Sequence, residues 1–217
     1  MVGQGVLREC LLAEDVEQVL AIGRSPVGQQ HSKLRELIHS DFTNFAAIAG
    51  QMAGYDACFF CLGVSSAGMK ESDYRHITFV FTLAAAEVLA KQNPGMTFVY
   101  VSGTGTDSTE KGRSMWARVK GETENALLKL PFRAAYMFRP GVIQPLHGIK
   151  SKTRVYRALY TVVAPLFPII KLLFPKYVIT TEQVGRAMLA VARGGTAQRL
   201  LENRDIAEIA NRARPSR

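Results

Sequence analysis

The sequence has few cysteines, and their arrangement argues against redox chemistry. Only three occur among 217 residues, and two of them form the spacing Cys58-x-x-Cys61. That spacing serves redox or metal chemistry where the thiols are exposed or lie at a helix N-terminus. Here both lie in the continuous apolar run 57–62, which predicts a buried strand. We therefore expect buried structural thiols in a reducing cytoplasm.

The sequence also lacks a long uninterrupted apolar run. Its most apolar stretch, 158–174, is interrupted by Lys171 and broken by two prolines, with Pro175 directly after it, so it is too short to span a bilayer. Two interpretations remain open: a helix with turns covering the substrate side of the core, or an interfacial patch over 155–174 whose basic flanks suit an anionic membrane surface. The amino terminus lacks the pattern of a signal peptide, so we expect a cytoplasmic protein with possible peripheral membrane contact.

Blocks of consecutive basic residues are absent too, although 27 basic residues against 18 acidic ones give a net charge of +9. Such a field attracts polyanions, including nucleic acid, anionic membranes and phosphate-rich cofactors. No zinc-finger spacing or aromatic RNA-binding motif accompanies the charge, so nucleic acid is not the expected partner. A hydrophobic fraction of 47% with 21% charged residues predicts a folded chain, and its length predicts one domain over 1–217.

Strand-like apolar runs alternate with segments of helical period along the chain. Strands are predicted at 16–22, 37–39, 57–62, 97–101 and 133–138, and helices at 3–12, 72–91, 114–128 and 181–192. The pattern Thr180-x-x-Gln183 predicts a capping box at the start of the last helix. This alternation predicts an α/β fold: a doubly wound, Rossmann-type parallel sheet with helices on both faces. The segment 143–180 is expected to form a substrate-side or membrane-facing insertion.

The order of elements has an anomaly at its front, because the first predicted element is a helix. A doubly wound sheet starts with a strand that is central and buried on both faces. Without this first strand, the neighbouring strands would be separated by a gap. We therefore expect either that Met1 is not the natural start or that another segment fills the space.

Several short motifs follow one another in a recognisable order. They are Met1-Val2-Gly3-Gln4-Gly5, Ile22-Gly23-Arg24, Asp41-Phe42, Cys61-Leu62-Gly63, Ser102, Trp116-x-x-x-Lys120 and Arg139-Pro140-Gly141. Together they resemble the atypical and extended short-chain dehydrogenases/reductases, with epimerase-like enzymes among them. The resemblance covers nearly the whole chain but lacks the first strand and the first glycines of the phosphate-binding loop.

The resemblance implies a nicotinamide dinucleotide as cofactor. Gly3 matches the last glycine of the loop, and Asp41-Phe42 matches the pair that contacts adenine. Leu62-Gly63 and Pro140 match positions beside the cofactor. Arg24 follows the strand whose tip meets the adenosine ribose, where an arginine accommodates a 2′-phosphate, so NADP is favoured over NAD. An ordinary surface arginine in a turn is the alternative interpretation of Arg24.

The catalytic positions implied by the resemblance are incomplete. Ser102 or Thr104 would polarise a substrate carbonyl, and Lys120 matches the lysine that holds the ribose and lowers the pKa of a catalytic tyrosine. Trp116 occupies the tyrosine position, and an indole N–H cannot act as a general acid near neutral pH. Three tyrosines are candidates for a displaced acid, although core packing is the favoured interpretation: Tyr74, Tyr100 and Tyr136.

Three functions follow from these patterns. The first is an NADP-dependent oxidoreductase or epimerase-like enzyme that acts on an unidentified small molecule. The second is a non-catalytic dinucleotide-binding regulator or redox sensor, and the third is a peripheral membrane protein. No metal site is expected.

Overall fold

Helices and strands alternate through the computed structural model, which describes residues 1–149 and 178–213. The helices of these residues are α1 Val2–Leu12, a 3-10 helix Ala46–Met52, α2 Glu71–Arg75, a π-helical turn His76–Val80, α3 Phe81–Gln92, α4 Met115–Leu127, α5 Thr181–Gly194 and α6 Asn203–Arg212. The strands are β1 Val19–Gly23, β2 Leu34–Ile38, β3 Ala57–Phe60, β4 Thr97–Val101, β5 Ala134–Arg139, β6 Val142–Gln144, β7 Val178–Thr180 and β8 Leu200–Glu202.

All strand pairs of the described residues are parallel, and they form three groups. The largest sheet has the order β3-β4-β5-β8, while β1 pairs with β2 and β6 pairs with β7. One hydrophobic cluster joins this layer to α1, α5 and α6, and a second joins it to the 3-10 helix, α3 and α4. The predicted parallel sheet with helices on both faces is thus confirmed.

Strand β4 shows how the sequence produces this three-layered arrangement. Its side chains alternate between the two clusters: Phe98 and Tyr100 pack on the side of α3, and Val99 and Val101 pack on the side of α1 and α5. A strand with apolar residues at successive positions can be buried on both faces, as a central parallel strand requires.

The predicted gap in the sheet lies between β1 and β3. Within the described residues, β1 hydrogen-bonds only to β2, and β3 hydrogen-bonds only to β4. Every residue of β1 is half-buried, whereas the first four residues of β4 are buried. The predicted gap is therefore present, and no strand of the described residues fills it.

Helices α1 and α5 approach each other closely because both carry glycine at the contact. A Cβ atom added to Gly5 would lie 2.7 Å from the Cβ atom of Thr181, and one added to Gly185 would lie 2.7 Å from Cγ of Glu9. Helix α5 starts with the predicted capping box of Thr180 and Gln183, so its first turn is fixed as well. This packing holds the amino end of α1 in place.

The structure also corrects several boundaries. The predicted helix 72–91 is divided by the π-helical turn, and the first two strands begin at Val19 and Leu34 instead of residues 16 and 37. The 3-10 helix, the pair β6–β7 and helix α6 were not predicted. The possible membrane patch 155–174 lies outside the described residues, among which no helix combines the length and apolar character needed to cross a bilayer.

Candidate functional site

A cavity of about 560 Å³ opens at the carboxyl ends of β3, β4 and β5, beside the amino end of α1. Its lining includes seven residues singled out from the sequence: Leu62, Gly63, Ser102, Thr104, Trp116, Lys120 and Pro140. The carboxyl ends of parallel strands are where open α/β sheets bind their ligands. The fold therefore brings the predicted catalytic positions together in one place.

Lys120 is the most strongly perturbed charged group of this cavity. Its Nζ atom donates hydrogen bonds to the carbonyl oxygens of Ser102 at 2.6 Å and Val101 at 3.3 Å. Burial lowers the pKa of Lys120 to about 8, and the Glu124 carboxylate opposes this shift. The ring of Tyr100 lies below the ammonium group, with its centroid 5.7 Å from Nζ. Lys120 is thus a positioned cation whose proton is held less tightly than usual.

Both candidate hydroxyl groups donate to protein acceptors. Ser102 Oγ lies 2.5 Å from Oε1 of Glu124 and 3.1 Å from the carbonyl oxygen of Phe138. Thr104 Oγ1 donates to the carbonyl oxygen of Arg139 at 3.0 Å. Thr104 is the more exposed of the two, so its hydroxyl is better placed to be redirected toward a ligand.

The Ser102 hydroxyl belongs to a buried ionic network that sequence reasoning missed. The Glu124 carboxylate is fully buried and is paired by the Arg139 guanidinium, which also contacts Glu202 and Ser108. This pairing raises the pKa of Arg139. One signal could have shown it: an arginine at the end of a buried strand requires an acidic partner, and Glu124 is one helical turn beyond Lys120.

Trp116 lies on the same face of α4 as Lys120 and lines the cavity one turn before it. Its ring packs near Gly105, where an added Cβ atom would lie 3.4 Å from Cη2 of the indole. The three tyrosines named above are at most 2% exposed, and none of them lines the cavity. The interpretation of these tyrosines as core residues is confirmed.

The residues predicted for the adenosine half of a cofactor lie away from this cavity. Arg24 is exposed just beyond β1, and Asp41 is exposed beyond β2, where its carboxylate accepts hydrogen bonds from Thr43 that lower the Asp41 pKa. Phe42 is buried against Phe45 and its ring packs in the core, which limits the adenine contact implied by the resemblance. Gly3 packs close to the sheet, since an added Cβ atom would lie 3.3 Å from Cβ of Cys61.

The three cysteines are free thiols with suppressed acidity. Burial raises the pKa of Cys10 and of Cys61 to about 12, and it also raises that of Cys58. Thiols of this kind are poor nucleophiles, as expected from the apolar run around them. Among residues 1–149 and 178–213, no group of three or more His, Cys, Asp or Glu side chains is arranged to hold a metal ion.

Comparison with known proteins adds independent information about this fold. No family model matches the chain. The rat protein HTATIP2 is 27% identical over 143 residues, which cover 65% of this chain and 58% of that protein. The chain therefore matches less than two thirds of the length of this relative.

Two solved structures illustrate the likeness in fold. WbmF from Bordetella bronchiseptica, in complex with NAD⁺, superposes with a TM-score of 0.65 at 17% identity, covering 98% of this chain and 74% of that one. DesIV from Streptomyces venezuelae, a dTDP-glucose 4,6-dehydratase with NAD and TYD bound, gives 0.65 at 17% identity, covering 96% and 76%. The chain thus has a Rossmann-type fold, and its predicted similarity to the short-chain dehydrogenase/reductase type is confirmed.

Proposed function

We propose that the chain binds a nicotinamide dinucleotide along the carboxyl ends of its parallel strands. One observation carries this proposal: Lys120 lines a cavity together with the other residues that the sequence motifs predict to bind the cofactor or substrate. The NAD-bound neighbours WbmF and DesIV support the same ligand class. A partly buried ammonium group in a polar cavity is suited to the oxygen atoms of such a cofactor or of its substrate.

The described residues fit the nicotinamide half of such a ligand. Lys120 would lie beside the nicotinamide ribose and the substrate, while Leu62, Gly63 and Pro140 would line the cavity on either side of the cofactor. The first turn of α1 begins at the cavity, and the amide groups of a helix start attract phosphate oxygens. When bound, the dinucleotide supplies a site that accepts or donates a hydride.

We further propose that NADP is preferred over NAD. The supporting observation is Arg24, whose exposed side chain follows β1 at the edge where the adenosine ribose would lie. Fluorescence titration with NADPH and NADH should therefore give tighter binding of NADPH. Arg24→Ala should narrow that difference, whereas Lys129→Ala removes the same charge beyond α4 and should leave it unchanged. Equal affinities of the wild-type protein for NADPH and NADH would refute the proposed preference for NADP.

The second proposal is that the bound cofactor serves an oxidoreductase or epimerase-like reaction on a small molecule. Support comes from Lys120, Thr104 and the indole N–H of Trp116, which line one cavity and offer hydrogen bonds to a carbonyl oxygen. The competing hypothesis is a regulator that binds the cofactor without turnover. A panel of carbonyl compounds with NADPH separates the two when the wild-type protein is compared with Trp116→Tyr. Turnover by Trp116→Tyr alone would favour the regulator.

A further inference from the structure

Trp116 leaves the described lining of the cavity without a tyrosine, so a carbonyl reduction there needs another proton donor. The described lining contains two side chains that titrate, Lys120 and Cys61. The Cys61 thiol keeps its proton because burial raises its pKa to about 12. The indole N–H of Trp116 donates a hydrogen bond but does not release its proton near neutral pH.

We propose that Lys120 itself is the catalytic proton donor, taking the role that a tyrosine has in related enzymes. This inference rests on the proposed binding of a reduced nicotinamide cofactor. Its structural basis is that Lys120 lines the cavity on the same face of α4 as Trp116, one helical turn away. A carbonyl group held by the indole N–H is then within reach of the ammonium group, directly or through one water molecule.

The hydrogen bonds of Nζ suit a group that gives up one proton. An ammonium group carries three hydrogens, and two of them go to the backbone carbonyl oxygens of Val101 and Ser102. The third hydrogen is available to the cavity. After it is transferred, the neutral amine still has two hydrogens for the same two carbonyl groups. Loss of the proton therefore leaves no buried carbonyl without its partner.

The other charged and titratable side chains that the structure describes around Nζ are paired or stay neutral. Glu124 lies one turn further along α4, but Arg139 and Ser102 occupy its carboxylate. From β4, Tyr100 presents only its ring face, and burial raises its pKa. On the side of β3, Cys61 stays neutral, and the amino terminus of the chain lies at the start of α1. Burial therefore has the largest effect on Lys120 and lowers its pKa to about 8.

In the proposed step, the carbonyl carbon would receive a hydride, with its electron pair, from the reduced nicotinamide, which would thereby become the oxidised cofactor. As the carbonyl π bond breaks, its oxygen takes the proton from Nζ and becomes a hydroxyl group. Lys120 is left as a neutral amine and regains a proton from water. In the reverse direction, the neutral amine accepts the proton of an alcohol.

The first test follows the Lys120 proton without any turnover. Protein with isotopically labelled lysine side chains is titrated by NMR, and the Lys120 signal is identified by its loss in Lys120→Arg. We expect this signal to titrate near pH 8, well below the ordinary lysine value of about 10.4. An ordinary value for Lys120 would overturn the proposal.

The second test measures single-turnover oxidation of bound NADPH with the reactive diketone 9,10-phenanthrenequinone as probe. In the wild-type protein, the rate should fall as pH rises through about 8, because the donor must be protonated. Lys120→Met should lower the rate by about 10²-fold or more, as expected for loss of a general acid. Lys120→Arg should be similarly slow, because a guanidinium keeps its proton. Lys129→Met is the control and should match the wild type.

The outcomes separate this proposal from cofactor binding. If NADPH does not bind to the wild-type protein, the proposed function itself fails. If NADPH binds but is not oxidised, or if Lys120→Met keeps the wild-type rate and pH profile, the role of Lys120 as proton donor is refuted while binding stands. An unfolded Lys120→Met variant is recognised by circular dichroism, and Lys120→Arg then decides the question.

Discussion

Replacing Gly121 by alanine tests the contact between α4 and the loop at Asp107. This glycine is buried on α4 directly after Lys120, and a Cβ atom added to it would lie 1.8 Å from the carbonyl oxygen of Asp107. The obstacle is backbone, which cannot rotate away as a side chain would. In addition, the amide of Asp107 donates to the carbonyl oxygen of Ala117, so the loop is tied to the helix. Gly121→Ala must therefore push the loop and α4 apart.

The expected cost of Gly121→Ala follows from two opposing effects. Overpacking a filled site costs about 3 kcal/mol at the upper end of its usual range, and alanine regains about 1 kcal/mol in a helix interior. The free energy of unfolding should thus fall by about 2 kcal/mol, which lowers the melting temperature by about 4–8 °C in a chain of this size. Affinity for NADPH should fall too, because Lys120 moves with the helix.

Thermal unfolding of Gly121→Ala measures this effect, and Gly194→Ala is the matched control. Gly194 is the last residue of α5, it is exposed, and no atom lies within 4 Å of an added Cβ. Its replacement should be neutral or slightly stabilising. A Gly121→Ala variant as stable as the wild type would show that the loop does not lie against α4 in this way.

Three further predictions concern the buried network, the helix contact and the cavity. Arg139→Met leaves the Glu124 carboxylate buried without its cation, and it should lower the unfolding free energy by about 3–5 kcal/mol in denaturant titrations; an unchanged midpoint would contradict the network. Gly5→Ala should separate α1 from α5 and cost about 1–3 kcal/mol, whereas an unaltered melting temperature would refute that contact. For Lys120, the folded-state pKa of about 8 is below the value of about 10.4 in an unfolded chain. Since the unfolded state binds more protons between these values, the wild type should gain stability relative to Lys120→Met as pH rises through this range. A difference that stays constant with pH would contradict burial of the ammonium group.

The sequence was informative wherever a local pattern decided the structure. Residues 98–101 are apolar at successive positions and lie in the predicted strand Thr97–Val101, and Thr180 with Gln183 forms the predicted cap. The order of the motifs also placed Trp116 and Lys120 at one cavity. These features depend on residues that are close together in the chain or on the edge that parallel strands share.

Features that depend on distant pairs could not be predicted in this way. The hydroxyl of Ser102 was assigned to a substrate carbonyl, but it contacts Glu124, which a third residue, Arg139, neutralises from another strand. Phe42 was assigned to adenine, yet its ring lies in the core formed with Phe45. In each case the residue type was informative, but its partner is set by packing between elements far apart in sequence.

The break between β1 and β3 has a dynamic consequence. Among the described residues, no strand hydrogen bond links the β1–β2 pair to the four-stranded sheet, so this pair can exchange its amide hydrogens without opening that sheet. Arg24 follows β1, while Lys120 reaches the ends of β4 from α4. A dinucleotide that contacts both residues would couple the opening of the β1–β2 pair to that of the four-stranded sheet. Its binding would then slow hydrogen exchange most in β1 and β2.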